Sequence, residues 1–341
     1  MYYLTSTVIA RYFLGCLIIF IGFFHSVMAN QLTEDTEKLL PQEAVGISEP
    51  LGEIAFSLDD APMPSTAIFN GVEKTERIIQ ALQDANCPAV GIFAIGKYAH
   101  TPTGLKRLHM YAEAGHIIAN HSYSHYKLND ITAQDFIEDI KKAHEILSPL
   151  PSFKLLFRFP YLAEGKDEVQ RQEVIQYLQS MGYREGYITV NNHDYYMSKL
   201  LVDAVKAGKI IDHEKLKNLY VSILWDCIIS VDKLSHKVLN RKVKHVLLLH
   251  ENDLAALFIG DLIEHIRKQG WKIISIEEAY EDPLALMPVT NTYSLVGRLG
   301  AIAIQKGLDK KLAVFPETAE YSYIPRALKQ QQIFKSPVFN P

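Results

Sequence analysis

His121 and His125 stand four residues apart at the end of an apolar run, Gly115-His116-Ile117-Ile118-Ala119-Asn120-His121-Ser122-Tyr123-Ser124-His125. A strand ending in a turn into a helix would present both imidazoles to one point, which is how a chain offers two nitrogen ligands to one metal. In a chain with 13 histidines such a pair also arises as ordinary core or surface residues. The stretch Ser57-Leu58-Asp59-Asp60, at the end of another apolar run, favours the first reading. Two adjacent carboxylates there would supply a third ligand and a base.

One carboxylate and two imidazoles leave Zn²⁺ an open position for water and lower that water's pKa toward ~7. A second carboxylate takes the proton, a nearby arginine fixes that carboxylate, and a histidine on the opposite side protonates the leaving amine. The chemistry is metal-assisted hydrolysis.

Such groups need a scaffold that brings distant segments to one rim. From Glu53 onward, short apolar strands alternate with amphipathic helices. The strands are expected at 54–58, 89–95, 116–119, 155–157, 187–190, 245–249 and 272–276. The helices are expected at 72–85, 104–114, 133–147, 167–181 and 254–269, with a long helical region from 191 to about 244. Nearly all-apolar strands alternating with helices imply a parallel sheet covered by helices. Some seven such units suggest an α/β barrel. In such barrels the active site lies at the C-terminal ends of the strands. There stand Asp59-Asp60, Asn120-His121, Arg158-Phe159-Pro160-Tyr161, Asn191-Asn192-His193-Asp194-Tyr195 and His250-Glu251-Asn252-Asp253. Cap and turn chemistry explains any one of these loops, but not five together.

Composition narrows the class. The 341 residues are 48% hydrophobic and 22% charged, an ordinary globular balance, and a net charge of −4 gives no case for nucleic acid. No Gly-x-Gly-x-x-Gly or phosphate-binding loop is present. Arg11 precedes the uncharged run Tyr12 to Phe24, followed by Val27-Met28-Ala29, the layout of a secretory signal over 1–29. The run is shorter than the ~20 residues of a span, so no stable membrane span is expected after cleavage, with an uncleaved anchor as the rival. The expected address is secreted or periplasmic. Residues 30–52 read as a linker, 53–282 as a single catalytic domain, and 283–341 as an irregular, partly mobile extension. Cleavage leaves Cys87 and Cys227, whose pairing stays open.

These motifs resemble the polysaccharide deacetylases, of the carbohydrate esterase family four type, over about Glu53 to Ile276. The resemblance implies a distorted (β/α)₇ barrel. It makes Asp59 the base, and Asp60, His121 and His125 the ligands of Zn²⁺ or another divalent transition metal, with His116 structural. Arg158-Phe159-Pro160-Tyr161 is similar to the third motif, whose arginine positions the base and whose last residue, here Tyr161, lends a backbone N–H to the oxyanion. Asp194-Tyr195 resembles the fourth motif, whose aspartate bonds that arginine and whose aromatic lines the site. Leu248-Leu249-His250 matches Leu-x-His, the leucine walling the acetyl pocket and His250 acting as general acid. Departures fall on the walls: Ala61, Leu162, Asn191 and Tyr195 replace the usual residues. The implied partner is an N-acetylated glycan. A non-sugar amide on the same barrel, or a non-catalytic carbohydrate binder, stays open.

Overall fold

Caps and apolar spacing set the helices close to where the sequence places them. In the computed structural model, which describes residues 49–290, 295–310 and 316–337, helix α1 (Gly71–Asp84) follows strand β1 (Glu53–Ala61). Asn70 caps α1 by accepting from the Glu73 N–H, and the helix buries Gly71, Lys74, Thr75, Ile78 and Leu82 along one stripe. The expected signal segment and nearly all of the linker lie outside the described residues. Among those described, no helix is long and apolar enough to cross a membrane.

The chain continues through β2 (Gly91–Ala94), α2 (Gly96–Ala99), α3 (Pro102–Glu113) and β3 (Ile117–Asn120). Next come α4 (Ala133–Leu147), β4 (Phe153–Phe157), α5 (Glu168–Ser180) and β5 (Arg184–Glu185). The long helical region expected here is α6 (Asp194–Lys206), the two-residue β6 (Ile210–Ile211) and α7 (His213–Leu239). Gly208, with φ +66°, breaks it where a left-handed residue ends α6. Then follow β7 (Lys244–His250), α8 (Asp253–Lys268), β8 (Lys272–Ile273) and α9 (Ile276–Ala279).

The main sheet is parallel throughout and runs β5-β4-β3-β2-β1-β7. Strand β8 pairs Lys272 and Ile273 with Glu53 and Ile54, on the edge of β1 that β2 takes further along, from Ser57. That makes seven strands covered by helices, the expected α/β class and the distorted (β/α)₇ barrel. The distortion has a visible cause. The strand expected at 187–190 is reduced to one bridge, Val190 to Leu247, while β5 sits earlier and pairs with β4. Five residues therefore carry the chain from one sheet edge to the other, a reach of at most ~18 Å. Part of their backbone is satisfied off the sheet, the Tyr280 hydroxyl donating to the Tyr187 carbonyl and the Arg298 N–H to that of Ile188, while the Thr189 and Val190 N–H groups reach the Val246 carbonyl of β7.

The extension after Asp282 holds more regular structure than its lost alternation suggests. It contains α10 (Arg298–Gln305), α11 (Tyr323–Gln330) and β9 (Phe334–Lys335), the last paired antiparallel with β6. Leu299, Ala303, Ala319 and Ile324 are buried in the main core. Periodicity is hard to read there because these elements are only two to eight residues long. Both cysteines are free thiols, and burial pushes Cys87 up to about 12 and raises Cys227 as well.

Candidate active site and metal centre

Strand register places the first two groups. Asp59 near the end of β1 pairs directly with His250 at the end of β7. Asp59 is 4% exposed, and its carboxylate meets the Arg158 guanidinium, itself 1% exposed. Arg158 donates further from Nη1 to Ser57 Oγ (2.9 Å), from Nε to the Gly186 carbonyl (2.7 Å) and from Nη2 to Tyr280 Oη (3.2 Å), and it lies 3.7 Å from the centre of the Phe93 ring. A buried guanidinium with its donors engaged is a rigid fork, able to hold a carboxylate at one angle. Gly186 is required because a Cβ there would overlap the Phe93 ring.

Asp60, His121 and His125 each bring one ligand atom to a common point, all within 4.8 Å of one another. His125 Nε2 is 3.1 Å and His121 Nε2 3.6 Å from Asp60 Oδ1. His121 Nδ1 donates to the Arg158 carbonyl (2.9 Å), which fixes the tautomer and leaves Nε2 with its lone pair toward the cluster. The expected turn into a helix is absent. Ser122 (φ +63°) and His125 (φ +59°) are left-handed, and the loop is tied by Asp139, which accepts from the Tyr123 and Ser124 N–H groups, before α4 begins at Ala133. The Asp60 Oδ1 atom is buried and has no hydrogen-bond partner. An orphaned carboxylate oxygen facing two imidazole nitrogens is the donor set a divalent metal takes. The residues fit the group.

Charges within the cluster follow from burial and proximity. Burial alone would raise Asp60. The His125 imidazole 3.1 Å away and the positive potentials of His250 and His121 outweigh it and hold the carboxyl well below its ordinary range. His121 is pulled down to about 4 by burial, with His125 adding to the effect against Asp59 and Asp60, so it is the neutral form a ligand needs. His116, at the foot of β3, accepts from the Val90 N–H, takes no part in the cluster and is pulled down to about 4 by burial.

His250 is built differently. Its Nδ1 donates to Asp194 Oδ1 at 2.7 Å, and the His250 N–H donates to Asp194 Oδ2 at 2.9 Å. Burial pulls its pKa down, but the Asp194 charge and hydrogen bond, with Asp60 and Asp59, raise it to about 9. One expectation is corrected here. The resemblance puts the fourth-motif aspartate on the arginine, yet Asp194 bonds His250 and Asn252, and no hydrogen bond joins it to Arg158. Asp194 opens α6 facing β7, and Asn192 Nδ2 donates to the Leu248 carbonyl while its Oδ1 accepts from the Asp194 N–H. Asn252 does two jobs: Oδ1 caps α8 and Nδ2 donates to Asp194 (2.7 Å).

Tyr161 (φ +58°) is half-exposed and lays its ring 4.5 Å from that of His125. Tyr195 stands edge-on to His250 at 5.2 Å. Leu248 lines the same cleft, which encloses about 1050 Å³. All of Asp59, Asp60, His121, His125, Tyr161, Tyr195, Leu248 and His250 border it, with Arg158 and Asp194 just behind.

Several supporting residues carry no such signal in the sequence. Buried Glu251 accepts from Arg107 (2.6 Å), Tyr111 (2.9 Å), Thr75 (2.8 Å) and the Met63 N–H (2.6 Å), and its own N–H donates to the Asp59 carbonyl (3.0 Å). It thus clamps both ends of the Asp59–Met63 turn, in which Asp60 holds φ +67°. Its one sequence signal is its place directly after His250.

Below Tyr161, Glu164 pairs with Arg171 at 2.7 Å. Burial and the Glu185 charge raise Glu164 to about 7, against the pull of Arg171. A carboxyl whose pKa is raised on folding contributes stability that is complete below the unfolded value of ~4.3 and is lost as pH rises through the folded one. The Glu164 contribution to the denaturant midpoint is therefore expected to fall between about pH 4.5 and 7, against the opposite contribution of His116 and His121, and to show as a change of slope between the wild type and Glu164→Gln. An unchanged slope in the variant would refute this assignment.

Comparison with known proteins follows the same residues. Residues 48–186 match the family described as Polysaccharide deacetylase. A peptidoglycan-N-acetylglucosamine deacetylase of Bacillus cereus is 33% identical over 111 residues, 32% of this chain and 36% of that relative. The match therefore spans about a third of the relative's length. A solved peptidoglycan deacetylase of Bacillus subtilis aligns at 17% identity and TM-score 0.44, over 67% of this chain and 90% of that one. The chitin deacetylase of Colletotrichum lindemuthianum aligns at 16% identity and TM-score 0.46, over 68% and 88%. The matched segment carries Asp59, Asp60, His121, His125, Arg158 and Tyr161, and over residues 48–186 the chain is similar to the polysaccharide deacetylase family.

Proposed function

We propose that the protein is a secreted or periplasmic, metal-dependent hydrolase that removes N-acetyl groups from an aminosugar glycan. The observation that carries this reading is the pairing of Asp59 with His250 across β1 and β7, beside the Asp60–His121–His125 cluster. A carboxylate and a protonated imidazole on two sides of a ligand set are what amide hydrolysis needs, and a pure binder needs neither.

Asp60, His121 and His125 would hold the metal, zinc first among N/O-liganded candidates, which when bound polarises the acetamide carbonyl and lowers the pKa of water. Asp59 accepts the attacking water's proton, held at its angle by Arg158. His250, its Nδ1 spent on Asp194, turns Nε2 toward the leaving amine, and a pKa of about 9 keeps it protonated at neutral pH. The Tyr161 N–H is assigned to the oxyanion, and Leu248 and Tyr195 to the walls around the acetyl group. The peptidoglycan and chitin deacetylases above suggest the polymers to try.

The test is acetate release from N-acetylglucosamine oligomers, peptidoglycan and poly-N-acetylglucosamine by the metal-loaded protein. Release is expected from at least one and should vanish with a chelator and return with zinc. His121→Ala should bind metal more weakly by more than the roughly 10–100-fold that losing a supporting partner costs. Metal bound with no acetate from any glycan would move the reading to a non-sugar amide.

A further inference from the structure

The turn that delivers Asp194 to His250 presents its side chains in two alternating sets. Asn192 and Asp194 face inward, to the Leu248 carbonyl and to His250. Asn191, His193 and Tyr195 each hold the C-terminal extension: Asn191 Nδ2 donates to the Leu295 carbonyl (2.9 Å), His193 Nδ1 to the Ala319 carbonyl (2.8 Å), and the Tyr195 and Tyr321 hydroxyls meet. The extension is thereby fastened over one side of the reacting centre. Leu295, held at φ +70°, and Tyr321 both line the cleft, although both lie far outside the family-matched segment 48–186.

Tyr321 rests one face on His193, ring centres 3.9 Å apart, and remains 47% exposed. Tyrosines used for packing in this protein look different: Tyr187 and Tyr280 are each 4% exposed. Tyr161, its ring 4.5 Å from that of His125 in the same cleft, is 50% exposed. The cleft's 1050 Å³ is at the top of the ~300–1,000 Å³ common for drug-sized ligands, more than one sugar ring fills.

We propose that the C-terminal extension builds a second sugar subsite, with Tyr321 and Tyr195 as its stacking surface and Leu295 as its apolar wall. The ligand class is an N-acetylated aminosugar oligosaccharide whose residue next to the reacting one lies against Tyr321. Half-open aromatic rings offer a sugar's C–H face an apolar surface while their hydroxyls are satisfied, here by each other. The inference rests on the glycan reading of the site, and its test does not depend on turnover.

Binding of N-acetylglucosamine and of its tetramer is measured by calorimetry on the zinc-loaded Asp59→Asn protein, with and without Tyr321→Ala and Tyr321→Phe. The tetramer is expected to bind more tightly than the monomer. Tyr321→Ala should cut tetramer affinity by roughly three- to tenfold, and Tyr321→Phe, which keeps the ring, should stay within about twofold of the parent. Equal tetramer affinity in Tyr321→Ala would overturn the subsite. A loss as large in Tyr321→Phe as in Tyr321→Ala would also overturn it, because the hydroxyl contact alone would then be the cause. No binding of either sugar by the parent overturns it too. Absence of acetate release by the wild-type protein, with the tetramer bound and Tyr321-dependent, would fail the deacetylase reading and leave the subsite standing.

Discussion

Replacing Asp59 with Asn is expected to lower kcat for acetate release by about 10²–10⁴-fold, the usual worth of a positioned general base, while bound metal stays near one equivalent. The amide keeps the shape of the carboxylate but not its proton affinity. The three candidate ligands are other residues, so metal content measured beside the rate separates base from ligand. The variant carries a second cost. Arg158 loses its one charged partner among the described residues but keeps Ser57, the Gly186 carbonyl and Tyr280, so a lower Tm is expected in a protein that still folds. Full activity in the Asp59→Asn protein would remove Asp59 from the mechanism. Failure of that variant to hold metal would make Asp59 a ligand instead.

A second large effect is expected at a residue that touches no reacting atom. Glu251→Gln should destabilise the fold by about 3–5 kcal/mol, because it leaves the Arg107 guanidinium buried without a countercharge. For a domain of this size that is a fall in Tm of roughly 10 °C. Metal affinity should weaken as well, since the Glu251 carboxylate fastens the Met63 end of the strained turn, while its backbone N–H goes on holding the Asp59 carbonyl. Thermal melts with and without zinc read both effects. A change within about ±0.5 kcal/mol, the range of ordinary surface substitutions, would show that the clamp carries no strain.

The contrast between these two residues tells which parts of the site a sequence can display. Asp59, Asp60, His121 and His125 are legible because each pair lies in one short stretch at the end of an apolar run. The helices are legible where a cap and a long apolar stripe coincide, as in α4, which follows Thr132 and runs over the expected 133–147. Glu251 is not legible as a clamp, because its partners Thr75, Tyr111 and Arg107 lie 176, 140 and 144 residues away. Arg158 shows the same limit: its place at a strand end is readable, but the Tyr280 hydroxyl that holds it is not. The missing strand at 187–190 has a related cause. Its apolar residues signal burial, and burial there is met by a mixture of one side-chain bond, a bond from the Arg298 N–H and a single bridge to β7 rather than by a full ladder. The Asp194 contact departs from the resemblance beside another departure: Asn191, standing where the family often has an earlier aspartate, spends its amide on Leu295.

The two alternating sets between Asn191 and Tyr195 have a consequence for how this protein can change. Substitutions at Asn191 and His193 act on contacts with the extension, so the rim wall can drift there while the proton donor is kept. An inserted or deleted residue acts on several at once, displacing Asp194 from His250 together with Asn191 and His193 from the extension. The segment is therefore open to point variation and closed to length variation. Relatives that differ in the extension would keep the count of residues between Val190 and Asp194 while varying their types at Asn191 and His193.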